Sequence, residues 1–146
     1  MLKDLLFPES DFTQSKSTSI GLLVLRIGSG LLMMLGHGWG KLSTYGTMVD
    51  KWADPIGLGP QVSLTLAVFA EFFCSMAVVL GLFTRAAVIP LITTMLVAVL
   101  IVHIDDPFGK KELGLLYLAP FLTLLFAGAG RFSLDAVIGN RWRGKK

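Results

Sequence analysis

Cysteine occurs once in the 146 residues, at Cys74, which rules out an intrachain disulfide and any CxxC redox pair. A lone thiol excludes a dithiol relay acting by itself, and Cys74 is read as a small buried hydrophobe. Charge is scarce as well. Only 16% of the residues are Asp, Glu, Lys or Arg, against about 25% in a soluble domain. Histidine occurs twice, with neither HxxxH nor HxxE spacing, so no metal site is expected. Flavin, iron–sulfur and P-loop signatures are lacking too, and any electrons would have to arrive through a partner or a substrate. Residues 1–19 lack a basic start leading into an apolar core and a small-residue cleavage site, so no removable signal is expected.

What remains is apolar. Hydrophobic residues make up 53% of the chain and mean hydropathy is +0.70, with the charges gathered in short gaps between long apolar runs. About 20 such residues cross a bilayer's hydrocarbon core. The pattern predicts an all-α integral membrane protein, a single membrane domain over 1–146 with four spans: about 20–41, 61–83, 86–103 and 112–128. A basic tail occupies 131–146. Ser17, Thr18 or Ser19 is expected to cap the first span, and Pro60 to open the second. Pro90 is expected in the first turn of the third, where a missing N–H costs little. Gly28, Gly36 and Gly40 are spaced by multiples of four and are expected to admit a neighbouring helix, including one from a second copy.

The first span, IGLLVLRIGSGLLMMLGHGWGK, also carries Arg26, His37 and Lys41. At roughly 100° per residue these lie within about 60° of one another. A charge within a bilayer costs a few kcal/mol unless it faces a partner or water, so this stripe is expected to turn inward. Glu71 is the lone charge near the middle of the second span, which makes it the expected partner of Arg26. His103 closes the third span on the same side as His37, and Glu112 opens the fourth, where the helix dipole favours a carboxylate. The candidate polar cluster is therefore Arg26, His37, Lys41, Glu71, His103 and Glu112.

Charge asymmetry sets the orientation. Lys3, Lys16, Arg85, Arg131, Arg141, Arg143, Lys145 and Lys146 fall on one side; Lys41, Lys51, Lys110 and Lys111 fall on the other. The positive-inside rule then predicts both termini in the cytoplasm.

Four segments, taken together, resemble the DoxX family of small four-helix membrane proteins. They are LLVLRIGSGLLMMLGHGWGKL, AVFAEFFCSMAVVLGLFTR, the ELGLLYL opening of the fourth span, and GAGRFSLD after it. The resemblance runs from about residue 20 to 136. It implies a four-helix bundle in a prokaryotic plasma membrane. It also implies an association with redox work, since relatives are linked to quinone-coupled sulfur oxidation and to thiol and oxidative-stress systems.

Functions of different classes fit these residues. A quinone-interacting redox subunit would use His37 and Lys41 as donors to the quinone oxygens, with Glu71, Glu112 or His103 exchanging protons; His37, Lys41 and Glu71 are its cofactor-binding candidates. A non-catalytic membrane anchor for a partner enzyme would need only helix packing and the basic tail. A narrow solute or proton path lined by Arg26 and Glu71 is a third reading, and a bis-histidine haem between His37 and His103 a fourth.

Overall fold

The computed structural model describes residues 14–143. Its helices are α1 (Lys16–Ser43), the short α2 (Tyr45–Met48), α3 (Pro60–Leu80), α4 (Thr84–Val102), α5 (Phe108–Ala127) and α6 (Leu134–Arg143). Helices α1, α3 and α4 are long and apolar enough to cross a membrane. Helix α5 is 20 residues long but carries Lys110, Lys111 and Glu112 in its first turns.

Helix α1 packs against α3 and α5, and α4 packs against the same two. The core between them includes Met33, Val78, Val88, Leu91, Phe121 and Leu124, all buried. Outward-facing positions are just as apolar: Val24, Leu32, Leu116 and Phe126 are each about two-thirds exposed or more. Bulky apolar groups on the outside of a bundle whose backbone bonds are internal suit lipid as the solvent. This is an integral membrane protein.

The helix ends reflect local chemistry. Ser15 caps α1, its hydroxyl accepting from Thr18 N–H at 3.1 Å. The cap thus lies before Ser17–Ser19, because the helix begins earlier than the apolar run does. Gly59 takes φ +91° ahead of Pro60, which opens α3 as expected. Pro90 falls one turn later than expected, inside α4, since that helix already starts at Thr84. Thr93 and Thr94 donate to Ile89 O and Pro90 O, each at 2.9 Å.

Each of the three helices fit to span a membrane contains a wide π-helical turn: Met34–Gly38 in α1, Phe69–Cys74 in α3 and Ala98–Val102 in α4. The next N–H in each case bonds five residues back: Trp39 to Met34 O, Ser75 to Ala70 O and His103 to Ala98 O. Such turns insert an extra residue and are frequent at functional sites.

Within the chain, the glycines that admit a neighbouring helix are not the predicted ones. A Cβ on Gly38 would stand 2.6 Å from the Glu71 carbonyl, and one on Gly30 would stand 2.7 Å from Val79 Cγ2. Gly28, Gly36 and Gly40 have open space around them instead. They sit on a different face of α1 from the one that meets α3.

Candidate functional site

The polar residues named by the sequence separate into two groups at different depths. Arg26 belongs to the first. It is level with Gly81, in the turn after α3; a Cβ there would lie 2.6 Å from the Arg26 guanidinium. That guanidinium donates to Val79 O at 2.6 Å, to Val78 O at 3.4 Å, and to Phe132 O. Val78 and Val79 are among the last residues of α3, where helix carbonyls run out of partners; Val78 O also accepts from Gly81 N–H at 3.0 Å, so Arg26 acts chiefly as the cap of Val79 O.

Asp135 completes this knot. Its carboxylate accepts from Phe83 N–H at 2.6 Å and Thr84 N–H at 2.9 Å, capping α4, while its own N–H donates to Gly81 O at 2.8 Å. Burial raises the Asp135 pKa above the usual 3.8; these backbone bonds and the Arg26 charge oppose that shift. Ser133 caps α6 through Ala136 N–H at 3.1 Å. The GAGRFSLD segment thus ties the ends of three helices together.

The second group surrounds a half-open cavity of about 460 Å³ lined by α1, α3, α4, α5 and the 52–56 loop. Lys41 reaches down α1 to form an ion pair with Glu71 Oε2. The expected Arg26–Glu71 pair is therefore absent: Glu71 takes Lys41, and Arg26 takes backbone carbonyls. Depth is the reason. Arg26 lies level with Gly81, ten residues of helix and roughly 15 Å from Glu71, whereas Lys41, about 22 Å further along α1 than Arg26, reaches the carboxylate. The wide turn at Met34–Gly38 shifts the phase by roughly 100° but still leaves Arg26 and Lys41 on one face, about 40° apart.

Around the pair, aromatic rings set the walls. Lys41 Nζ lies 5.7 Å from the Trp52 ring centre, within range for a cation–π attraction. The His37 ring stands edge-on to Tyr117, with centroids 5.7 Å apart, and Tyr117 stacks on Phe121 at 6.0 Å. His103 also lines the cavity, and its Nδ1 lies 2.7 Å from Asp106 Oδ2. That bond, foremost, holds the Asp106 carboxylate below its usual range. The 52–59 loop is shaped by Asp54, which accepts from Leu58 N–H, Gly59 N–H and Ser63 Oγ at 2.8–3.0 Å; the Ser63 bond chiefly lowers its pKa.

Of the six predicted site residues, His37, Lys41, Glu71 and His103 share this cavity, whereas Arg26 and Glu112 are not among its lining residues. Glu112 is exposed on the first turns of α5. Trp52, Thr94 and Tyr117 line the cavity and were not foreseen. Tyr117 could have been found from ELGLLYL, since it lies five residues after Glu112 on a span otherwise nearly without polar groups.

The DoxX family model matches residues 21–104. The chain belongs to the DoxX family. The match covers Arg26, His37, Lys41, Glu71 and His103, while the Asp135 segment lies beyond it. Among relatives of this DoxX protein, "Inner membrane protein YqjF" of Escherichia coli K12 is 28% identical over 132 residues, 87% of this chain and 98% of that one. An uncharacterized protein of Haemophilus influenzae Rd is 26% identical over 137 residues, 86% of this chain and 87% of that one. No solved structure matches the chain.

Chemically, the cavity offers one fixed cation–anion pair, two imidazoles and a phenol within mostly apolar walls. An apolar enclosure with a few convergent polar groups is the usual form of a small-molecule site.

Proposed function

We propose that this DoxX protein is a four-span subunit of the bacterial inner membrane, with both termini in the cytoplasm, that binds a membrane-soluble quinone in the Lys41–Glu71 cavity. The cavity itself carries the reading. Its apolar walls suit a ring delivered from lipid, and Lys41 and His37 supply donors for the two carbonyl oxygens. Glu71, already paired to Lys41, and His103 are placed to exchange protons with the bound ring. When bound, the quinone supplies the electron chemistry; the chain's residues bind it, orient it and move protons. Electrons would come from a partner redox protein.

The orientation is supported by the basic residues, which weigh more heavily once Lys41 is placed inside the bundle, leaving Lys51, Lys110 and Lys111 at the cavity end. The name of the Escherichia coli relative supports the membrane assigned. Helix α5 is the fourth span of this reading: its charges lie in the first turns, beyond the apolar stretch from Leu113 onward.

The test is purification of the full chain in mild detergent, then quantitation of co-extracted quinone. A near-stoichiometric quinone that falls at least tenfold in Lys41→Met is the expected result. A quinone-free protein that also fails to take up added ubiquinone-1 would sink the reading, and co-purification with a soluble enzyme would then favour the anchor.

A further inference from the structure

A second hollow of about 480 Å³ lies at the other end of the bundle, between the first turn of α1 and α6, lined by Lys16, Arg131, Phe132, Ala136 and Asn140. Its construction begins with two glycines. Gly128 and Gly130 take φ of +78° and +77°, conformations that glycine adopts at little cost, and they turn the chain back over α1. A Cβ on Gly130 would lie 3.4 Å from Ser19 Cα, and Arg131 N–H donates to Ser19 Oγ at 3.4 Å. This contact brings the Arg131 side chain beside Lys16.

Both side chains are exposed, and among the described residues neither has an ion-pair partner. No carboxylate is among the described residues that line the hollow. The nearest acidic residue in α6, Asp135, is buried and committed to the α4 N-terminus. Two like charges held at one concavity, with an amide beside them and no described carboxylate opposing them, make a place for an anion.

The rest of α6 indicates how that anion would arrive. Leu134 and Val137 are exposed on one face of the helix, with Phe132 exposed just before it, while Asp135, Ala136 and Gly139 are buried on the other. A short helix with an outward apolar face at the end of a membrane bundle suits the headgroup boundary, where acyl chains lie on one side and headgroups on the other.

We propose that the Lys16–Arg131–Asn140 hollow binds a phosphate-bearing anion, presented by an anionic phospholipid headgroup or free in solution, independently of the cavity at the opposite end. Arg131 provides a planar fork for two phosphate oxygens and Lys16 a point charge. Basic hollows between membrane helices recognise anionic headgroups in this way.

The experiment uses the full chain, delipidated in dodecyl maltoside, with unfolding monitored by tryptophan fluorescence. Dimyristoyl phosphatidylglycerol, dimyristoyl phosphatidylcholine and sodium phosphate are titrated separately at matched ionic strength. Phosphatidylglycerol should raise the midpoint well beyond phosphatidylcholine, as a ligand that binds only the folded state does. Its apparent affinity should fall about fivefold for each cation removed in K16Q and R131Q, and the preference should vanish in the double variant. An equal, variant-sensitive shift with sodium phosphate would support the hollow and assign its anion to solution. Should the double variant fail to fold, the single variants carry the same test. Phosphatidylglycerol binding that neither single substitution weakens would overturn the proposal.

Discussion

Arg26 and Lys41 stand on one helix, fifteen residues apart, and both are largely withdrawn from water, yet their surroundings differ in kind. Arg26 is 3% exposed and spends its donors on backbone carbonyls from two segments. Losing it would leave Val79 O at the end of α3 without the partner Arg26 gives it. Lys41 instead faces a carboxylate and a tryptophan ring across a cavity, so its partners can change when something enters. Buried polarity at one end closes the fold, and at the other it stays available for chemistry. The presence of a charge in an apolar span does not tell these cases apart; the identity of its partner does.

The sharpest way to break this contrast is at the closed end. Arg26→Ala should cost about 3 kcal/mol or more, because it removes one side of a buried charged network and strands the Val79 carbonyl of α3. Unfolding in mixed dodecyl sulfate and dodecyl maltoside reports it. Lysine should not rescue, since it lacks the fork that reaches two segments at once. Combined with Glu71→Gln, the losses should add, as expected for sites without shared partners. A coupling above about 1 kcal/mol between them would revive the pairing that the geometry rejects.

The open end should behave otherwise. Glu71→Gln alone leaves Lys41 buried and unpaired, with an expected loss of about 2–4 kcal/mol, whereas Lys41→Met with Glu71→Gln should recover much of it. The same unfolding assay measures both. A double variant as damaged as the sum of its parts would mean that the pair is not an interacting unit.

Much of this layout was legible in the chain. Hydropathy located the helices α1, α3 and α4 that are long and apolar enough to span, since lipid tolerates few charges, and the isolation of Glu71 in AVFAEFFCSM marked it as the residue needing a partner. Which partner it takes was not legible. That choice depends on the depth at which α1 packs along α3, which sets Arg26 level with Gly81 and Lys41 level with Glu71, and no residue type in either span announces that offset. Asp135 stayed hidden for a related reason. Its role depends on the tail folding back onto the Gly81–Phe83 turn, a contact across some fifty residues. His37, Lys41 and His103 were found because they are rare polar groups at span ends. Trp52 and Tyr117 were missed as cavity walls because aromatic rings at a membrane boundary have an ordinary interfacial explanation.

Glycine offers a finer division within α1. Gly38→Ala should cost about 1–3 kcal/mol, because its Cβ would collide with the Glu71 backbone and push α3 away from the cavity. Gly36→Ala, two residues earlier with open space around it, should be neutral or stabilising by up to about 1 kcal/mol. Equal effects in the unfolding assay would remove Gly38 as the point where the two helices meet.

The smallest effect concerns the mouth of the cavity, where polarity meets water on ordinary terms. Folding lowers the Asp106 pKa below 3.8, first through its bond to His103 and then through Lys110. A depressed carboxylate stabilises the fold above its unfolded value and loses that contribution as pH falls through the folded value. Wild type should therefore exceed Asp106→Asn in melting midpoint by only a degree or two near pH 6, and the gap should close below about pH 3.5. A gap that persists unchanged to about pH 2.5 would mean that the asparagine disturbs the loop by shape and not by charge. If the gap instead closes, His103 is oriented by a solvent-exposed carboxylate whose hold on the ring is weak. The mouth would then be easy to rearrange, while the Arg26 knot at the far end keeps the helices in place.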